Sequence, residues 1–177
     1  MSRAAALPPP ARLRPAVDVL EAELLLEPPP YLRRERVRGR RAEGLRYERR
    51  AKARLAELLG ADDCCELLLG PWIRFRDAAT PGAWRFCQPD ALWLDPLEGR
   101  LVLIEIKLQH TPDAWWQCEW LYRPVLERLF APGGWQIAPC EVVKWFDPAV
   151  PFPCRPAMLR DPRMAQPDQF GVHILAA

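Results

Sequence analysis

The apolar positions of this chain change period several times, and each change predicts an element. Val17, Leu20, Leu24 and Leu25 recur at helical spacing, and Pro28-Pro29-Pro30 ends the helix they predict. A longer amphipathic helix is expected over 43–59, with Leu45, Ala51, Leu55, Leu58 and Leu59 on its apolar stripe and Gly60 as its C-cap. Three β-prone runs follow: 66–75 with a break near Gly70-Pro71, 84–94 entered through Thr80-Pro81-Gly82, and 101–107. Thr111-Pro112 suits the start of a helix over 113–130, inside which Pro124 predicts a kink or an early end. Pro132-Gly133-Gly134 stops that helix, and 135–146 reads as one more strand. The order helix, three strands, helix, strand predicts an α/β fold, a central mixed sheet with helices on its faces. Around this core, 43–146, the chain reads as a flexible to helical Arg-rich extension over 1–42 and an irregular Pro-rich tail over 147–177 that hugs the core.

The runs 88–94 and 101–107 are joined by Asp95-Pro96-Leu97-Glu98-Gly99-Arg100, whose Pro and Gly predict a hairpin connection. A turn symmetric about Leu97 and Glu98 sets Asp90 opposite Glu105, with Cβ atoms about 4.5–5.5 Å apart. Like charges so placed among apolar residues repel, and a divalent cation with oxygen ligands would relieve them. Strand period two puts Lys107 on the face of Glu105 and turns Ile104 and Ile106 to the other. The bland alternative is a strand-end carboxylate with a surface salt bridge. An acid inside Leu-Val-Leu-Ile-Glu-Ile argues against it, because ionised side chains are seldom buried unpaired.

Charge adds a second candidate surface. The net charge is only +2, but six arginines fall between Arg33 and Arg41, and Arg46, Arg49, Arg50, Lys52 and Arg54 follow. Arg40, Arg41, Arg46, Arg49 and Arg50 are the candidate nucleic-acid contacts, with a solvated helical face as the alternative. Lysine is scarce, at positions 52, 107 and 144 only. Lys144 fits an edge-strand lysine that guards against aggregation. Trp115, Trp116 and Trp120 fit core packing on a helix better than base stacking. Cysteines at 64, 65, 87, 118, 140 and 154 form no C-x-x-C and read as buried free thiols, and His110 and His173 lack metal spacing. No apolar run nears the roughly 20 residues of a membrane span. The N-terminus lacks a signal-peptide core of about 7–15 apolar residues. A cytoplasmic protein with no membrane partner is expected.

Pro89-Asp90 and Glu105-Ile106-Lys107, set in this order of elements, resemble the PD-(D/E)XK nuclease superfamily over roughly 43–146. The resemblance implies a restriction-endonuclease-like αβββαβ core and Mg²⁺-dependent nuclease activity, with Mn²⁺ as a substitute ion. It implies that Asp90 and Glu105 hold the metal, that the Ile106 carbonyl is a further ligand, and that Lys107 positions or activates the attacking water. Glu48, on the first core helix, is similar to an acid that reaches the metal directly or through water. Gln117 is similar to a glutamine of the exonuclease-like branch, which has a tyrosine four residues later. Here Leu121 holds that place and Tyr122 follows it. The clustered cysteines of iron–sulfur nucleases are missing.

The implied function is a metal-dependent deoxyribonuclease, endo- or exonucleolytic, acting on double- or single-stranded DNA in recombination, repair, restriction or a mobile-element process. Junction or double-strand cutting would suit a homodimer. Bound Mg²⁺ would supply an acidified water and relieve phosphate charge, and a desolvated Lys107 would have a lowered pKa. The alternative is a catalytically inactive nuclease-fold module that binds DNA or a protein partner.

Overall fold

Two proline-containing breaks divide the middle of the chain between two sheets. The computed structural model describes residues 16–29, 38–60, 63–109, 112–145 and 171–175. The run expected as one strand over 66–75 is β2 (Glu66–Leu69) and β3 (Trp72–Asp77), separated at Gly70-Pro71. The run expected over 84–94 is β4 (Trp84–Cys87) and β5 (Ala91–Asp95), separated at Gln88-Pro89-Asp90. β2 pairs antiparallel with β5, whereas β3 pairs antiparallel with β4 in the other sheet. Gly70 makes its corner with φ +60°, a conformation that penalises a Cβ. Pro89 has no N–H to continue a ladder.

The larger sheet has the order β2-β5-β6-β7-β8, with β6 spanning Arg100–Gln109, β7 Gln136–Trp145 and β8 Gly171–Ile174. β5 and β6 are antiparallel, while β6, β7 and β8 run parallel, so the sheet is mixed as expected. The fold is α/β with this sheet and a second, three-stranded one in which β1 (Val19–Leu25), β3 and β4 follow in that order.

Three expectations are corrected. The predicted first helix is instead β1 (Val19–Leu25), antiparallel to β3, with a register shift between Val19 and Glu21. Val17 and Val19 before the shift and Ala22 and Leu24 after it all pack on the core. The bulge thus turns a period of two into spacings that mimic a helix. Glu21 and Glu23 point outward and pair with Arg76 and Arg74 of β3. Within the tail read as irregular, β8 extends the sheet, and Leu175 closes it by donating to the Val143 carbonyl at 3.0 Å. Among the five described cysteines, Cys87 and Cys118 are buried, but Cys64 is exposed.

Helix α1 (Gly39–Leu59) starts four residues earlier than expected. Its buried stripe is Tyr47, Ala51 and Leu55, spaced by four and facing Ile104 and Ile106 of β6 and Val142 of β7. Leu45 and Leu58, expected inward, are 37% and 54% exposed. The opposite face of the sheet carries Leu92, Leu94, Leu101 and Leu103, packed against Val125 and Leu126 and against Ile73 and Phe75 of the small sheet. Each fully buried leucine there contributes about 1.5–3 kcal/mol.

The helix expected over 113–130 is α2 (Pro112–Gln117), a π-helical turn over Cys118–Tyr122, and α3 (Arg123–Phe130). Pro124 cannot donate to the carbonyl four residues back, which belongs to Trp120. That carbonyl accepts instead from the amide of Val17 at 3.0 Å. The chain before β1 therefore supplies the hydrogen bond that Pro124 cannot. Trp116 and Trp120 meet edge to face with ring centroids 3.9 Å apart. None of the described helices is long and apolar enough to cross a membrane.

Candidate functional site

The β5–β6 register sums as the symmetric turn requires, with Ala91 opposite Ile104 and Asp95 opposite Arg100. One further step along that register leads to Asp90 and Glu105, and there the ladder ends, the Ile106 amide donating to the Asp90 side chain. Asp90 lies at the break between sheets and is held on three sides. Its carbonyl accepts from Gly70 N at 2.8 Å. Its Oδ2 accepts from Ile106 N at 2.7 Å. Its Oδ1 stands 3.7 Å from Lys52 Nζ. Because Ile106 N–H points toward Asp90, the carbonyl of the same residue points to the same side of the strand.

Glu105 is buried at 3% exposure. One of its oxygens, Oε1, accepts from Lys107 Nζ at 2.5 Å; the other, Oε2, is buried without a hydrogen-bond partner. Lys107 donates also to Gln117 Oε1 at 3.0 Å. On α1, Glu48 accepts from Lys52 at 2.6 Å. Asp90, Glu105, Lys107, Glu48 and Gln117 are therefore brought into one cluster. Among the described residues no group of three or more His, Cys, Asp or Glu is arranged to hold a metal ion. Lys52 stands between two of the three acids, Glu48 and Asp90.

Burial pushes the Glu105 carboxyl up to about 7, the nearby charge of Asp90 adds to the rise, and Lys107 opposes it. Burial likewise raises Asp90, and the Ile106 amide bond works against that. Burial alone would lower Lys107, as expected from the sequence. The combined pull of Glu105 and Asp90 outweighs it, and the ammonium is held above its ordinary value. The expected lowering is therefore reversed by the carboxylates it serves.

The π-helical turn changes how the second helix presents its side chains. Arg123 N donates to Cys118 O, five residues back. In that geometry residues five apart share a face, as residues four apart do on an α-helix. Gln117 and Tyr122 are five apart, and both reach the cluster, Gln117 through Lys107 and Tyr122 by donating to the Gln88 carbonyl at 3.2 Å.

Three residues here were not singled out from the sequence. Lys52 was legible only as part of a basic block, although Glu48 and Lys52 have ion-pair spacing. Gly70 was legible as a strand break, but its approach to Lys52 and Gln88 was not. Glu141, fully buried on β7, is paired with Glu105 across the parallel ladder and shares its face. Its signal is the same as that of Glu105, a lone acid in an apolar run.

The expected basic contacts divide. Arg46, Arg49 and Arg50 line a groove with Glu43 and with Lys144 of β7. Lys144 is 3.7 Å from Glu43 and lies over the ring of Trp145, itself 63% exposed. Arg40 and Arg41 are exposed in the first turn of α1, outside this groove.

No family model, no curated protein and no solved structure matches this chain.

Proposed function

We propose that this protein is a metal-dependent deoxyribonuclease of the PD-(D/E)XK type, its core a restriction-endonuclease-like αβββαβ unit. The observation that carries the reading is the orphaned Oε2 of Glu105, a carboxylate buried near enough to Asp90 to feel its charge. A buried carboxylate oxygen without a donor is costly unless a proton or a cation completes it. Asp90, Glu105 and the Ile106 carbonyl are the oxygens that would hold Mg²⁺ directly, with Glu48, paired with Lys52, reaching it through water; such an ion is satisfied by one or two carboxylates and several waters. When bound, such an ion supplies an acidified water and charge relief at the phosphate.

The chain's own residues supply the remainder. Lys107, kept protonated by Glu105 and Asp90, presents an ammonium to the phosphate and to the attacking water. Gln117 fixes that ammonium from the second helix. Tyr122 fixes Gln88, two residues before Asp90. The π turn brings Gln117 and Tyr122 to one face, and this supports kinship with the exonuclease-like branch despite the extra residue. Arg46, Arg49, Arg50 and, at the helix start, Arg40 and Arg41 are the groups that would meet the DNA backbone.

The test is a cleavage panel of linear, circular, branched and single-stranded DNA, with RNA alongside, in Mg²⁺ or Mn²⁺. Cleavage by the wild type that Glu105→Ala abolishes is expected. No cleavage of any form in either metal would transfer the site to the alternative, a binding module that keeps the fold without the chemistry.

A further inference from the structure

The two lysines of the cluster are not equivalent. Lys107 rises from the strand of Glu105 and touches that carboxylate. Lys52 comes from α1, on the far side of Asp90, and its ammonium touches the other two acids, at 2.6 Å from Glu48 and 3.7 Å from Asp90. The side chain is only 19% exposed. The backbone is shaped around it: a Cβ built on Gly70 would stand 3.3 Å from Lys52 Nζ and 3.3 Å from Gln88 Nε2. The positive φ of Gly70 and its bond to the Asp90 carbonyl bring that glycine alongside the lysine.

We infer that Lys52 occupies the place a second metal ion would need, so that the site binds one divalent ion, beside Asp90 and Glu105, and uses the Lys52 ammonium as its other cation. This rests on the nuclease reading above and goes beyond it by setting the number of ions. Two-metal sites place their ions about 3.5–4 Å apart and share a carboxylate between them. Here the shared carboxylate would be Asp90, and Lys52 already stands between it and Glu48. The orphaned oxygen lies on the other side, on Glu105.

In the one-ion arrangement the Lys52 ammonium faces the phosphate from the side opposite Lys107 and stabilises charge there as a fixed cation.

The experiment is Mn²⁺ titration of the full chain, read by electron paramagnetic resonance and by calorimetry, with cleavage assayed in parallel. The wild type and Lys52→Arg bind one Mn²⁺ per chain. Lys52→Met, which keeps the aliphatic stem, binds two, loses about 10²-fold in cleavage at limiting Mn²⁺, and recovers cleavage as Mn²⁺ is raised. A purely structural salt bridge would leave the stoichiometry at one and give no recovery. Two ions in the wild type would overturn the inference while leaving the nuclease reading intact. No ion in the wild type would overturn the metal site itself. An unchanged stoichiometry in Lys52→Met would overturn the assignment of Lys52. The wild-type count decides the number of ions even if that variant fails to fold.

Discussion

The amide of Ile106 donates a 2.7 Å hydrogen bond to Oδ2 of Asp90, so the residue before β5 is anchored by side chain to the strand opposite. This contact takes up the Ile106 amide at the end of the β5–β6 ladder, and it fixes one carboxylate oxygen while leaving the other toward Lys52. Replacing Asp90 by Asn keeps a carbonyl oxygen for the Ile106 amide and removes the charge. Asp90→Asn should therefore fold with a melting temperature close to that of the wild type and lose cleavage. Thermal melting and a DNA cleavage assay on the same preparation check both halves.

Lys107 is the second point of attack. Lys107→Ala should lower cleavage by about 10²–10⁴-fold, the range for a group that acts on protons or charge in the transition state. Gln117→Ala, which removes only the acceptor holding Lys107 at 3.0 Å, should cost less than Lys107→Ala. Combining the two should add nothing to the loss from Lys107→Ala alone, because residues acting as a unit are not additive. Single-turnover rates for the three variants decide this.

Glu105 makes the metal-free protein sensitive to pH. Its folded carboxyl titrates at about 7 against 4.5 for the ordinary group. Between those values the folded state binds more protons than the unfolded one, so stability falls as pH rises. The stability is fully present below pH 4.5 and is lost as pH rises through about 7. At about 1.4 kcal/mol per pH unit the loss is on the order of 3 kcal/mol. Glu105→Gln should remove this dependence. Melted in chelator, it should gain on the wild type between pH 5 and pH 8; parallel profiles would contradict the shift.

Gly70→Ala tests the corner that carries Asp90. A residue with a side chain at φ +60° is strained by about 1–2 kcal/mol, and the new Cβ would crowd Lys52 Nζ and Gln88 Nε2. The variant should unfold at lower denaturant with an unchanged slope, and cleavage should fall because Lys52 is displaced.

Arg40 and Arg41 lie in the first turn of α1, which has no acid, so they stand against the helix dipole. A bound polyanion would compensate both. Arg46→Ala with Arg50→Ala should weaken DNA binding in chelator and reduce the slope of log K against log salt by roughly 0.9 for each phosphate no longer neutralised. An unchanged slope would remove the groove from the binding surface.

How far the sequence could carry this reading depended on the range of each signal. The Asp90–Glu105 relation followed from a local hairpin whose turn composition and strand lengths set the register. The division of Ile104 and Ile106 from Glu105 and Lys107 followed from strand period alone. The sheet breaks were only half legible: Gly70-Pro71 and Pro89 marked interruptions, but which partner each half would take is a long-range matter. β1 was misread because a bulge shifts its inward positions by one residue. Lys52 was hidden for a different reason. Its role depends on α1 lying against β6 so that its flank reaches Asp90, and no local pattern encodes that contact. The π turn is likewise set by Pro124 and by the distant Val17 amide that takes up the Trp120 carbonyl.

The most direct measurement is anomalous scattering from crystals soaked in Mn²⁺. One peak, about 2–2.5 Å from carboxylate oxygens of both Asp90 and Glu105, with Lys52 still on Glu48, is the result expected here. Crystals that diffract well and show no peak near either carboxylate would contradict the site and the function built on it.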